Sequence, residues 1–581
     1  MVKTPVRLFV AFVVSLIGWT IYYVMTMSEP ADILFINARI HTMDAQMSVA
    51  DAIAVRGERI IAVGSRSSVE ARVDADTLID LGGRTVLPGF IDAHGHLLSL
   101  GLARMTVDLI GASSEEAAAE RVRARVSAVS EGQWIRGRGW DQNDWPSKRF
   151  PTRSVLDRAA PLNPVYLARV DGHAAWVNGE ALKAAGITRT TQDPPGGKIL
   201  RRENGEPSGI LVDAAMELVQ RVMPQPSDGE MRQALRLATS ELTSLGVTGM
   251  HDMGVDLRTI ALYKDLIDKG DFPLRVYALV DGPGETWDSI RASGPILDYG
   301  DRLTVRGIKL YADGALGSRG AAMIEPYDDD PGNRGLTMAD EATLQAIVDD
   351  AVDRGFQVCT HAIGDRGNSL TLDLYARALA TVGNGDRRLR VEHAQILHPS
   401  DIPRFAQLGV IPSMQPTHCT SDMYWAEARV GPGRVNGAYA WRSLLKTGVI
   451  IPCGSDFPVE HPNPIAGIAA AVTRRDARGV PASQQDIDDQ FQLANASRPT
   501  PERYSEGWYG GQRMTLVEAI RGFTAWGAYA AFEEGKKGTL EPGKLADFIV
   551  LGEDPFRMPV GEFRRMRVER TILGGKTIFG D

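Results

Sequence analysis

The sequence predicts an α/β protein: a (β/α)8 TIM barrel, a β-sandwich built from both chain ends, and a transmembrane helix ahead of them. Three observations carry this. The middle of the chain alternates short apolar, β-branched runs with helical patterns. Both ends hold short strand-like runs separated by Gly-containing turns. An uninterrupted apolar stretch of helical length stands at the N-terminus.

That stretch, LFVAFVVSLIGWTIYYVMTM, runs from Leu8 to Met27. About 20 helical residues reach about 30 Å, the thickness of a bilayer core. Lys3 and Arg7 precede it and favour a cytoplasmic start. Tyr22, Tyr23 and Met25 are large where a cleavage site needs small residues, so residues 1–31 read as an uncleaved signal anchor. The expectation is a single-pass protein of the inner (cytoplasmic) membrane, with the rest of the chain periplasmic or otherwise extracytoplasmic.

Residues 32–88 read as the first part of the sandwich, from ADILFINARIHTMD, ADAIAVRGERIIAVG and TLIDLGGRTVLPG. Residues 538–581 supply the second part, with LADFIVLGEDP and RVERTILGGKTIFGD. Between them, residues 89–537 hold eight strand candidates: VLPGFIDAHGH, GVTGMHDM, LRVYALV, LTVRGIKLYAD, FQVCTHAIGD, LRVEHAQ, VIPSMQP and VIIPCGSDF. Helical segments such as EATLQAIVDDAVDRG and NSLTLDLYARALATVG lie between several of them, which argues for a parallel sheet. An insertion at about 97–245 parts the first candidate from the second. It carries a helical stretch from Ser114 to Ser130 and an aromatic, polar region from Trp140 to Trp145. A second polar stretch, Asp476 to Gly511, reads as a surface loop.

Composition narrows the function. At 581 residues, 44% hydrophobic and 24% charged, the chain has ample material for a core and too little polarity for disorder. Its net charge of −9 is spread along the chain, and with no basic cluster or nucleic-acid motif nothing suggests a nucleic-acid partner. Cys359, Cys419 and Cys453 are odd in number and far apart, so no disulfide framework is expected.

Chemistry concentrates at the ends of the strand candidates. His94 and His96 are two apart and share one side of an extended segment, where two imidazoles can grip one metal. His361 ends FQVCTH and His393 ends LRVEH. One such histidine is more often a hydrogen-bonded core or loop residue than a ligand, but barrel strand ends converge on one place. Asp456 follows IIPCGS and is either a turn residue or a ligand that also takes a proton from metal-bound water. Lys309 lies inside RGIKLYAD, where burial lowers an ammonium pKa. Such a lysine pairs with Asp313 or another carboxylate, or reacts as a neutral amine with carbon dioxide to give a bridging carbamate.

Longer phrases then match a family. PGFIDAHGH, VDGHAAWVNGEAL, GIKLYADGALGSRGA, THAIGDRGN, VEHAQ, SMQPTHCTSDMYWAE, GSDFPVE, TAWGAYAAFEE and KGTLEPGKLADFIVL resemble the amidohydrolase superfamily. Within it they resemble the amidohydrolase-3 (YtcJ-like) branch, related to N-substituted formamide deformylase. The resemblance covers nearly all of residues 32–581. It implies a metal-bearing barrel with His94, His96 and Asp456 on a first metal, and His361 and His393 on a second. Lys309, when carboxylated, bridges the two. One or two divalent ions are expected; zinc suits the ligands best, and manganese, iron or nickel also fit. His173 is implied as a substrate contact or as a residue ordering the insertion. Asp313 positions Lys309 or substrate, or caps a turn, and His418 faces the pocket. His41, His251, His398 and His461 match no ligand position.

The expected activity is metal-assisted hydrolysis of a non-peptide carbon–nitrogen bond in a small amide-like substrate, with Asp456 as the base. A lyase, isomerase or esterase on the same site, or a membrane-tethered ligand-binding protein without activity, are the competing readings. Trp140, Trp145, Tyr424 and Trp425 suggest an apolar or aromatic pocket, or equally pack the insertion against the barrel.

Overall fold

The computed structural model describes residues 28–142, 145–169, 174–194, 197–317, 319–382, 385–481 and 506–580. They form two compact units, one of residues up to Leu97 and from Thr239 onward, the other of Leu98–Ala238.

The first unit is organised around parallel strands: β1 (Phe90–Gly95), β2 (Val247–Val255), β3 (Arg275–Asp281), β4 (Leu303–Tyr311), β5 (Gln357–Ala362), β6 (Arg390–His393) and β7 (Ile411–Ser413). They pair in chain order from β1 to β7. Their residues are buried almost without interruption, as expected of parallel strands covered on both faces. Segment 452–457 lies between the two edges. Met414 N donates to Pro452 O at 3.0 Å, Ala93 N to Cys453 O at 2.9 Å, and Asp456 N to His94 O at 2.7 Å. This eighth segment closes the barrel-like sheet through the bridges Met414↔Cys453 and Gly95↔Phe457, without forming a regular strand. Pro452 has no N–H to give, and Asp456 turns into the left-handed region at φ +59°.

Helices Glu341–Asp353 and Asp365–Val382 flank β5. The first starts at Asp340, whose side chain accepts from Thr343 N and satisfies a free helix-end donor. Ile296–Tyr299 adds an antiparallel strand to β4 that the sequence reading missed; ILDY is short and largely solvent-facing, so no apolar run marks it.

Two further sheets belong to this unit. One has the order Arg59–Gly64, Ala52–Arg56, Glu29–Ile36, Val73–Asp80. In the other, Thr85–Pro88 pairs antiparallel with Phe548–Leu551, so early and late chain share one sheet. Phe35, Ile53, Val86, Phe548 and Ile572 pack together in a shared core. Pro88 then leads through Gly89 into β1; a Cβ at Gly89 would stand 2.2 Å from the Thr248 side chain, so only glycine passes there. Buried Arg275 of β3 pairs with Asp547 at 2.6 Å and with Glu58 at 2.9 Å, tying barrel to sandwich.

The second unit has a six-stranded sheet: Gly197–Arg201, Pro207–Asp213, Ala174–Val177, Val165–Arg169, Ile135–Trp140, Val107–Asp108. Helix Glu115–Val126 begins at Ser114, whose hydroxyl accepts from Ala117 N. Trp140 and Trp145 are buried in this unit's own core, with ring centroids 6.1 Å apart. Their indole N–H groups donate to Leu167 O and Ala112 O, each at 2.8 Å. They are packing residues of this unit.

The membrane expectation is corrected. Among the described residues no helix is long and apolar enough to cross a membrane. Asp365–Val382, the longest α-helix described, carries Asp365, Arg366, Asp373 and Arg377 and is amphipathic. The predicted transmembrane helix, its role as a membrane partner and the single-pass inner-membrane, periplasmic placement are therefore not supported. The run Leu8 to Met27 on which they rested lies outside the described residues.

Candidate metal centre

His94 lies on β1, Lys309 on β4, His361 on β5, and His393 ends β6; His96 and Asp456 follow β1 and lie in the closing segment. The C-terminal ends of these strands bring most of them together. His94 Nε2 is 3.5 Å and His96 Nε2 3.2 Å from Asp456 Oδ1. Asp456 Oδ2 faces His418 Nε2 at 3.7 Å. The His94 and His393 rings are 4.8 Å apart between centroids, and those of His361 and His393 4.5 Å. Lys309 Nζ is 3.3 Å from His94 Nε2.

Local backbone explains the convergence. A Cβ at Gly454 would stand 2.5 Å from His94 N, so glycine lets the closing segment press against β1. Asp92 staples the two. Its buried carboxylate accepts from His94 N at 3.1 Å and from the Ser455 hydroxyl at 2.7 Å, on either side of the ligand candidates. His393 and Asp456 both have positive φ, +73° and +59°, a strained backbone of the kind that collects at functional sites.

Behind the histidines lies a buried charge network. Glu392 Oε2 accepts from His94 Nδ1 at 2.6 Å. Arg390 pairs with Glu392 at 2.7 Å and donates to Ala93 O, Ser413 Oγ and His251 Nδ1 at 2.7, 2.8 and 2.8 Å. His393 Nδ1 meets Gln415 Oε1 at 2.7 Å. These partners hold Nδ1 of both rings as N–H and leave Nε2 with its lone pair.

Electrostatics favour a ligand-competent state. Burial, then the Lys309 charge, hold the His94 imidazole down at about 4. The same two causes take His361 to about 3. Burial lowers the Lys309 ammonium pKa, against the raising effect of Glu392 and Asp456. Burial pushes the Asp456 carboxyl up, but the facing His94 and His96 rings outweigh it and hold it well below the usual range. Burial raises Asp92 to about 7.

Other expected residues are placed differently. Lys309 has no carboxylate partner at ion-pair distance among the described residues, so the pairing with Asp313 is not formed. Asp313 is buried and accepts from Ala322 N, Ile363 N and Gly364 N at 2.9, 2.9 and 2.7 Å, which makes it an organiser of the loops after β4 and β5. His361 Nε2 turns towards Gly314 O at 3.4 Å. Tyr424 bonds Asp476 through its hydroxyl, and Trp425 packs beside Gly317. His173 lies outside the described residues. Sequence reasoning missed Glu392, Arg390, Asp92 and Gln415, and set His251 aside. The signal for two of them was RVEH, with three ionisable side chains in a four-residue buried strand.

The donor set fits a divalent cation. Ligand atoms of His94, His96 and Asp456 lie within 4.8 Å of one another, and so do those of His393, His418 and Asp456. The Nε2 of His418 is buried with no hydrogen-bond partner among the described residues. Imidazole nitrogens and a carboxylate are the ligands that zinc-like ions take.

The Amidohydrolase family model matches residues 77–579. The chain is similar to Protein LONG AFTER FAR-RED 3 of Arabidopsis thaliana, at 35% identity over 94% of this chain and 92% of that one. It is similar to the putative amidohydrolase YtcJ of Bacillus subtilis (strain 168), at 30% over 93% and 98%. A third relative is the N-substituted formamide deformylase of Arthrobacter pascens, at 28% over 94% and 98%. Among solved structures, an uncharacterized metal-dependent hydrolase from Pyrococcus horikoshii OT3 aligns with a TM-score of 0.73 and 27% identity, over 91% of this chain and 99% of that one.

Proposed function

The chain belongs to the amidohydrolase family, and on that premise we propose that it hydrolyses a non-peptide carbon–nitrogen bond in a small amide-like substrate. The observation that carries this reading is Asp456, an ionised carboxylate facing His94, His96 and His418 at the mouth of a closed parallel sheet. His94, His96 and Asp456 would hold a divalent cation, zinc first among the candidates, with Lys309 and His393 available for a second; His361, whose Nε2 faces Gly314 O at 3.4 Å, would join it only by turning its ring. Such a cation supplies a Lewis acid for a carbonyl oxygen and acidifies water to a pKa of about 7.

The residues do the rest. Asp456 takes the proton of the attacking water and passes it to the leaving nitrogen. Glu392, held by Arg390, keeps the His94 ring in the tautomer that points Nε2 at Asp456. Lys309, whose ammonium pKa is lowered by burial, is the amine that would add carbon dioxide, lose a proton and form a carbamate. The 28% relative named for deformylating N-substituted formamides supports an amide-like bond.

The test is metal quantification on the purified protein, followed by a panel of N-substituted formamides, simple amides, lactones and esters. Turnover confined to carbon–nitrogen substrates and abolished by a chelator is the expected result. Turnover of esters alone, or tight metal with no turnover, would overturn the proposal.

A further inference from the structure

We propose that His418 is itself a metal ligand, completing with His393 and Asp456 a second donor group that shares Asp456 with the group of His94 and His96. This rests on the reading of the pocket as a cation site.

Four observations converge on it. First, the Nε2 of His418 is buried and has no hydrogen-bond partner among the described residues. Leaving such a group unsatisfied is unfavourable, and a ligand bond removes that cost. Second, Asp456 divides its oxygens: Oδ1 turns to His96 at 3.2 Å, and Oδ2 to His418 at 3.7 Å. One carboxylate thus serves both donor groups, each compact to within 4.8 Å. Third, the His418 ring lies parallel to that of His393, 10° between planes with centroids 5.9 Å apart. Fourth, His361 belongs to neither group, and its Nε2 is engaged towards Gly314 O at 3.4 Å.

The chain also couples His418 to His393. Helix Pro416–Asp422 follows β7, and Pro416 in its first turn fixes where His418 enters. Gln415, the residue before that helix, holds His393 Nδ1 at 2.7 Å. One short segment therefore orients one ring and supplies the other. A substrate-contacting histidine has no need of such gearing; a ligand pair does.

The deciding experiment is a zinc-loaded crystal structure of the full chain, with zinc competition against a chelator for wild type, His418→Asn and His418→Gln. The expected results are His418 Nε2 about 2.0–2.1 Å from a zinc ion, and zinc held at least about tenfold more weakly, or at lower stoichiometry, by both variants. Circular dichroism identifies a variant that has merely unfolded, and the wild-type crystal structure then decides alone. His418 Nε2 out of bonding range, or unchanged zinc affinity and stoichiometry in a folded variant, overturns the assignment and leaves the hydrolase reading standing. A wild type that binds no zinc, cobalt or manganese overturns both.

Discussion

His94 Nδ1 stands 2.6 Å from Glu392 Oε2, and both side chains are buried. A ligand candidate on β1 is thus held by a carboxylate on β6, across the sheet interior. Arg390 holds that carboxylate in turn, at 2.7 Å.

The first prediction concerns this pair. Glu392→Gln keeps the shape but removes the charge facing Arg390. Metal affinity should fall about 10–100-fold, the range for losing a partner of a ligating histidine. Stripping the counter-charge from buried Arg390 should cost about 3–5 kcal/mol. Metal competition and thermal melts check both, and wild-type values in each would contradict the positioning role.

Asp456→Asn should keep much of the metal while lowering kcat about a hundredfold to ten-thousandfold, the span of general acid–base catalysis. Full activity in that variant would remove Asp456 as the base.

Lys309→Ala should lower the bound metal. The amine lies 3.3 Å from His94 Nε2 with no carboxylate at ion-pair distance among the described residues, so a merely structural ion pair is not what the substitution would remove. Unchanged metal stoichiometry would contradict the bridging role.

Glu58 gives a pH prediction away from the site. Burial pushes its carboxyl up, but Arg302 and Arg275 outweigh this and lower it from the ordinary 4.5 to about 2. Folded below unfolded, it contributes stability that is complete above the ordinary value and disappears as pH falls towards 2. Melting temperatures of wild type and Glu58→Gln should differ at pH 6 and converge below pH 4.5. A gap constant across that window would contradict the ion-pair account.

The barrel and its ligand candidates were legible because parallel strands buried on both faces read as unbroken apolar runs. The polar residue that ends such a run marks the open face, and His94, His361 and His393 were found that way. Segment 452–457 was read as a full strand, although Pro452 and the left-handed Asp456 reduce it to two bridges. The sheet of the second unit was missed because strands such as GKILR and PSGILVD are short, half-exposed and interrupted by Pro and Gly. Glu392 is hidden in the sequence beside His393, the histidine that ends the same short strand. A carboxylate inside a buried strand needs a counter-charge, and Arg390 two residues earlier points to the same face and supplies it. Trp140 and Trp145 stayed open between a pocket and packing, because aromatic residues near polar ones suit a pocket and a small core equally well; the second unit's core holds both.

The central claim is that His94, His96 and Asp456 hold a catalytic divalent cation. Metal analysis of wild type and of the His94→Ala, His96→Ala double variant tests it most directly. The account predicts stoichiometric transition metal in the wild type, with metal and turnover lost together in the folded variant. A variant that keeps its metal and still hydrolyses an amide-like substrate would contradict it.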